Sequence, residues 1–400
     1  MNVLISGCGV AGPALAFWLS KIGARVTVVE RAPSFRDGGY AVDVRGAALD
    51  VLARMGLREA VRPFETDTLR NAVVDSRGRR FGEMPRGFGV VDEGDVEIHR
   101  GDLSRVLYDA TRAAVDYRFG DSIAALDQAG ARVAVTLASG ASDDFDLVVG
   151  ADGVHSRTRA LTFPDDARFV HPLGSVMAIF TVPNMLGLDR EQLMFSAPHR
   201  VASVKSANGN RELKVCVFVS TDGAVDSSTP LEDVEAQREL VARAFRDAGW
   251  EFPRIVSAME RASDFYFDVT CQIRMDRHYE GRVVLVGDAG YCPSPLSGQG
   301  TSLALVGAYV LAASLAATPG DVPAALARYD ATMKGFAREN QDVALRIAEG
   351  FAPATPFEAW SRNAAMRILP YVPGSGVLMK LAMGKVRKAS RAITLPAAVG

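Results

Sequence analysis

The chain has 400 residues, too many for one small core, so two or three subdomains are expected. Its 45 Lys and Arg nearly balance 47 Asp and Glu, a net charge of −2 that argues against nucleic acid or an anionic membrane as partner. With 48% hydrophobic and 23% charged residues the composition is that of an ordinary globular protein and excludes disorder.

Residues 2 to 30 read as strand (NVLIS), glycine turn (GCGVAG), helix (PALAFWLSKIG) and strand (ARVTVVE), with Ala11, Leu15, Trp18 and Ile22 as the helix's apolar face. Gly7, Gly9 and Gly12 satisfy GxGxxG, and Glu30 ends the next strand. One glycine permits the tight turn, one lets a pyrophosphate approach the backbone, one lets helix and strand pack closely, and the acid takes a ribose diol. The context makes this a dinucleotide fingerprint rather than a chance glycine cluster.

The polar RDGG after it predicts a loop, and YAVDV a strand crossing the sheet. Arg45-Gly46 then opens a helix with the stripe Leu49, Leu52, Ala53 and Leu57. Arg45 faces either a ligand or merely a loop carbonyl. From Leu69 to Ile98 the pattern is strand-like, and a helix follows with Asp102 as N-cap and Arg100 just before it. Short alternating strands over 115–149 end in LVVGA, which delivers Asp152-Gly153 at a strand's carboxyl end, followed by Arg157 and Arg159 at a helix start.

From 171 to 268 the composition changes. VMAIFTVP, RVASVK and ELKVCVFVS alternate with turns around one amphipathic helix (EDVEAQRELVARAFRDAG), which predicts a second, largely antiparallel sheet. The first domain then resumes in VVLVGDAGYCPSPLSGQGTSLALVGAYVLAASLA: a buried strand, Asp288, a Pro-punctuated loop, and a glycine-rich entry (Gly298, Gln299, Gly300) into a long apolar helix. Backbone N–H groups there can approach a flat, electron-rich ligand and lend it partial positive charge. The apolar run is too short for a bilayer and reads as a core helix. Beyond Phe351 a Pro-rich linker leads to a basic cluster (Lys380, Lys385, Arg387, Lys388, Arg391), read as a solvated helix face, with a membrane-surface helix as the sharper alternative.

The four cysteines Cys8, Cys216, Cys271 and Cys292 form no CxxC and the five histidines no HExxH, so no metal site is expected. Reduced thiols and the absence of a basic, cleavable leader predict a cytoplasmic protein.

GCGVAG with Glu30, ADG at 151–153 and GD at 287–288, in that order, resemble the FAD-dependent aromatic hydroxylases, the class A flavin monooxygenases similar to para-hydroxybenzoate hydroxylase. The resemblance covers residues 1 to about 345. It implies an α/β fold: a Rossmann-like FAD-binding domain (1–72, 98–170 and 268–345), an inserted, mainly antiparallel substrate domain (73–97 and 171–267) and a C-terminal helical segment (346–400). Carried over, Gly7, Gly9, Gly12, Glu30 and Arg31 hold the ADP half of FAD; Arg100 and Leu103 match an R-x-x-L segment; Asp288 binds ribityl hydroxyls; Pro295, Gly298, Gln299 and Gly300 line the flavin ring. Asp152 belongs to a motif associated with FAD and NAD(P)H. Arg45, Pro295 and Gly298 are the residues nearest the chemistry, Arg45 as a cation beside a mobile ring.

GGYAVDVRG and the C-terminal segment further resemble the tetracycline-inactivating flavin monooxygenases. That implies hydroxylation of a polycyclic aromatic substrate with NADPH (or NADH) and O2 through a C4a-hydroperoxyflavin, in a monomer, with the C-terminal segment as a lid. Tyr291 departs from the family's usual His, and the separated Pro293 and Pro295 from its adjacent pair. A smaller phenolic or heteroaromatic substrate, or a non-catalytic flavin-fold binding protein, are the alternatives. A second GxGxxG and a W-x-W-x-I-P stretch are absent, which argues against a two-dinucleotide dehydrogenase and a flavin halogenase.

Overall fold

The computed structural model describes residues 1–36, 38–84, 94–221, 233–368, 371–372 and 384–397. Lys380 of the basic cluster, residues 85–93 of the strand-like stretch, Asp37 of the RDGG loop and Glu232 of the expected helix lie outside them.

The dinucleotide unit is built on a six-stranded sheet in the order Tyr279–Glu280, Val283–Leu285, Leu147–Gly150, Asn2–Ser6, Arg25–Glu30, Asp116–Phe119. All neighbours are parallel except the Tyr279–Glu280 edge. Val3, Leu4 and Ile5 are inaccessible because both faces of a parallel sheet are covered. On one side lie the helices Ala11–Lys21, Gly300–Ala317 and Val322–Ala348; on the other, a three-stranded meander (Ile123–Asp127, Val133–Leu137, Ser142–Phe145) whose Val133 and Val135 pack on Leu4, Val29 and Val148. From Asn2–Ser6 the chain winds outward in one direction to Arg25–Glu30, and later in the other to Leu147–Gly150 and Val283–Leu285. The three motifs therefore sit at the carboxyl ends of three adjacent strands, at the point where strand order reverses and α/β sheets bind ligands. Gly300–Ala317 is apolar on every side because it is buried almost throughout.

Over this end lies a seven-stranded sheet, in the order Tyr266–Ile273, Val170–Pro183, Glu212–Ser220, Arg200–Ala207, Glu191–Ala197, Arg70–Val74, Arg80–Met84. Strands Arg70–Val74 and Tyr266–Ile273 join it whole, so the boundaries expected at 72 and 268 each cut through one of its strands. Val176, Ala178, Phe180, Val215, Val217 and Phe195 point to one face, where the helices Val234–Phe245 and Phe252–Met259 seal an apolar core. The register then puts Met177, Ile179, Met194, Ser203, Cys216 and Phe218 on the opposite face.

Other local expectations shift. YAVDV does not cross the main sheet: among the described residues Ala41–Val44 pairs only with Val96–His99, because alternation marks a strand but not its partner. Helix Ala47–Met55 buries Ala48, Val51, Leu52 and Met55, while Ala53 is exposed. Helix Arg100–Asp109 starts three residues earlier than expected, with His99 as its N-cap and Asp102 in its first turn. The stretch read as a linker contains the helix Pro356–Ile368, which lies on strands Arg80–Met84 and Glu191–Ala197.

Candidate functional site

Each glycine of the first turn has a separate steric reason. A Cβ on Gly7 (φ 107°) would stand 2.4 Å from the Ala151 carbonyl oxygen, and one on Gly12 would stand 2.0 Å from the Gly7 oxygen, so these two let strand ends and helix close up. Gly9 is different. The nearest atom to its absent Cβ is Arg100 Nη2, at 4.0 Å, so the space is kept on the open side, facing a guanidinium. Helix Ala11–Lys21 has no side-chain cap, which leaves its N-terminal N–H groups for an anion. Glu30 accepts from the Cys8 and Ala32 N–H groups at 2.9 Å each and so fixes the turn. Burial, with Glu30 nearby, pushes the Cys8 thiol up to about 12, so it packs as a neutral group. Arg31 is exposed beyond Glu30.

Asp288 opens the short helix Asp288–Tyr291, delivered by Gly287 at φ 69°. Solvent reaches its side chain, yet enclosure by protein raises its pKa against the pull of Arg100; it stands on the wall of a deep cleft. A Cβ on Gly300 would lie 3.5 Å from its Oδ1, which sets Asp288 beside the Gly298–Gly300 turn. The Arg100 guanidinium has no hydrogen bond or ion pair among the described residues; it stands 4.0 Å from where a Gly9 Cβ would be and acts on Asp288 as a nearby positive charge. Tyr40, pushed up by burial and by Asp288, shares the space, with Arg100 and Cys216 of the upper sheet as its electrostatic neighbours.

Arg45 is buried, 4% exposed, which removes the reading of it as a surface arginine. Its N–H donates to Ser302 Oγ (3.0 Å) and its Nη2 pairs with Asp43 at 2.5 Å. The missing side chain of Gly298 would meet Arg45 Nη1 at 3.3 Å and Asp43 Oδ2 at 3.4 Å. Pro295 is exposed at the start of a single 3₁₀ turn; Gln299 is buried, its amide N and O without a partner among the described residues.

Two expected site residues make scaffold contacts. Asp152 accepts from Ser6 Oγ, Ser156 Oγ, Thr158 N and Thr158 Oγ1 at 2.5 to 3.3 Å, so its oxygens staple helix Arg157–Thr162 to the strand ends. Leu103 is fully buried in the core.

Several residues at the cleft went unread in the sequence. Asp43 had a signal, since a period of two puts it on the same side of its strand as Arg45. The others meet only through the fold. His155 Nε2 lies 3.0 Å from both oxygens of Asp268, which also accepts from Tyr266 at 2.7 Å; Asp268 raises the pKa of His155 and so joins the lower unit to the upper sheet. Lys205, on the upper sheet, pairs with Glu97, and burial lowers it to about 8. Phe351 packs on Phe218 with ring centroids 4.8 Å apart.

A glycine turn facing an arginine, an acid on the first unit's second strand and another at the cleft define a dinucleotide-binding α/β protein, roofed by a second sheet. The chain matches the family described as FAD binding domain over residues 1–344 and belongs to it. It is 45% identical over 366 residues to an uncharacterized protein of Mycobacterium tuberculosis, covering 90% of this chain and 97% of that one. It is 38% identical to a flavin-dependent monooxygenase of Legionella longbeachae, over 88% and 90% of the two chains. Among solved structures it is similar to the tetracycline destructase Tet(55), with TM-score 0.85 and 35% identity over 99% of this chain and 98% of the other. The chain is an FAD-dependent monooxygenase of this family, for which NAD(P)H is the typical reductant and small aromatic molecules and O2 the substrates.

Proposed function

We propose that the protein hydroxylates a polycyclic, polyoxygenated aromatic substrate of tetracycline type with NAD(P)H and O2. The observation that carries this reading is the face of the upper sheet opposite its apolar core: Met194, Ser203, Cys216 and Phe218, on three strands, are partly exposed there as mixed apolar and weakly polar groups, with the buried Met177 and Ile179 of the next strand on the same face. Such a surface suits a wide, flat ring system, whereas a simple phenol needs a small, tight cavity. The similarity to Tet(55) supports the same class.

In this reading Gly9 and Arg100 hold a pyrophosphate, Glu30 a ribose diol and Asp288 the ribityl hydroxyls, and the Gly298–Gly300 turn lies along the flavin ring. The redox chemistry, two-electron reduction by NAD(P)H and activation of O2, is what FAD supplies when bound. The chain's own part is electrostatic and steric. The uncapped N-terminus of helix Gly300–Ala317 and the charge of Arg45 beside Gly298 would stabilise negative charge on a reduced flavin held along that turn. The upper sheet orients the substrate and excludes water. Phe351 on Phe218, with helix Pro356–Ile368 behind it, supports the C-terminal segment as a wall of the pocket.

The test is NAD(P)H consumption by the purified yellow protein against tetracyclines, other polycyclic polyketides and simple phenols. Stimulation by polycyclic compounds is expected. Stimulation by phenols alone would overturn the substrate class, and none by any compound would favour a non-catalytic binding protein.

A further inference from the structure

The Asp43–Arg45 pair beside Gly298 gives the cleft a charge that the cofactor motifs do not explain. Arg45 is held by Ser302 Oγ on its N–H and by Asp43 at 2.5 Å on Nη2, and it lies beside Gly298, where a Cβ would stand 3.3 Å from Nη1. Ser302 Oγ also donates to the Asp43 carbonyl at 3.4 Å, so one hydroxyl fixes the backbone of both partners. The guanidinium's Nε has no hydrogen bond among the described residues, and Asp95 Oδ2 lies 3.8 Å from it. Arg45 thus presents to the cleft a charge that Asp43 contacts closely and Asp95 at longer range.

We infer that Asp43 is a positioning residue that sets, through Arg45, the positive charge felt at the Gly298 edge of the cleft, and hence how far negative charge on the ring there is stabilised. The inference rests on the reading that places the flavin ring along Gly298–Gly300. Two full charges 2.5 Å apart largely cancel at a distance. With Asp43 ionised the ring edge sees a tight dipole, and with Asp43 neutral a cation countered only at longer range by Asp95. Burial, acting against Arg45, raises the Asp43 pKa, so a neutral form lies within reach as pH falls. The other groups facing Asp43 are Lys205 from the upper sheet, Asp95, and Glu97, its partner in the strand register. Asp43 touches no reacting atom; its Oδ2 stands as near the Gly298 edge as Arg45 Nη1 does, but without Arg45 burial leaves it neutral, so its charge counts only alongside its partner's.

The test is the midpoint potential of bound FAD, which needs neither NAD(P)H nor substrate. Arg45→Ala is expected to lower it. Asp43→Asn is expected to raise it by about 30 mV, a tenfold rise in the reduced-to-oxidised ratio for two electrons, and to do nothing when Arg45 is already alanine. On acidification the wild-type potential should converge on that of Asp43→Asn. Should the asparagine variant not hold FAD, Asp43→Ser, which also removes the charge, takes its place. An unchanged or lowered potential in both neutral variants overturns the role of Asp43. An unchanged potential in Arg45→Ala overturns instead the placement of the ring at Gly298.

Discussion

At the scale of single residues, the glycines of the first turn separate into packing positions and a ligand position, and mutation should separate them too. Gly12→Ala forces a methyl to 2.0 Å from the Gly7 oxygen and should cost about 1–3 kcal/mol of stability whether or not FAD is present. Gly9→Val meets nothing nearer than the Arg100 guanidinium, so the folded protein should melt normally and come off the column colourless. Asp288→Ala should weaken FAD by about 1.5–3 kcal/mol, tenfold or more, through the lost charged acceptor. Fluorescence titration with FAD, set beside thermal melts, distinguishes the three; a Gly9→Val protein that binds FAD normally would mean the nucleotide lies elsewhere. These positions were readable in the sequence because turn, helix and acid are fixed by local spacing. Asp43 was overlooked although its spacing from Arg45 showed it, while Lys205 and Cys216 depend on a register that only the assembled sheet defines.

At the scale of elements, Tyr291 and Gly307 form a matched pair. Tyr291 Oη lies 1.8 Å from where a Gly307 Cβ would stand, and accepts from Tyr329 Oη at 3.1 Å. The tyrosine that departs from the family's usual histidine is thus seated in a notch of helix Gly300–Ala317. Gly307→Ala should be strongly destabilising, and Tyr291→Phe should recover part of the loss in a double-mutant cycle; strictly additive melting shifts would show that the helix moves aside instead. Nothing in the sequence links the two positions, sixteen residues apart, since a helix glycine reads only as a weak spot until its neighbour is known. The same limit applies to YAVDV, whose alternation was clear but whose partner strand was not.

At the scale of the whole molecule, the glycine turn, the three strand-end motifs and a second antiparallel layer were all readable, because each leaves a pattern within one segment. The join between the layers was not, since His155 and Asp268 are 113 residues apart. That join should depend on pH. The folded state raises the His155 pKa and lowers that of Asp268. The His155 contribution is therefore complete below its unfolded value and lost as pH rises through the raised one, while that of Asp268 fades only at acid pH. His155 is 74% exposed, so the pair is worth no more than about 1 kcal/mol. Melting curves should show His155→Ala costing more near pH 5.5 than near pH 8.5; an equal loss at both would exclude the ionic contribution.

The central claim, that the upper sheet roofs a site where a wide aromatic substrate is hydroxylated, is tested most directly by isotope. The holoenzyme is incubated with NADPH, a tetracycline and isotopically heavy O2, and the products are weighed by mass spectrometry. The account predicts a product carrying one heavy oxygen atom, formed in step with NADPH use. Peroxide alone from every polycyclic compound, with heavy oxygen entering only a simple phenol, would contradict it.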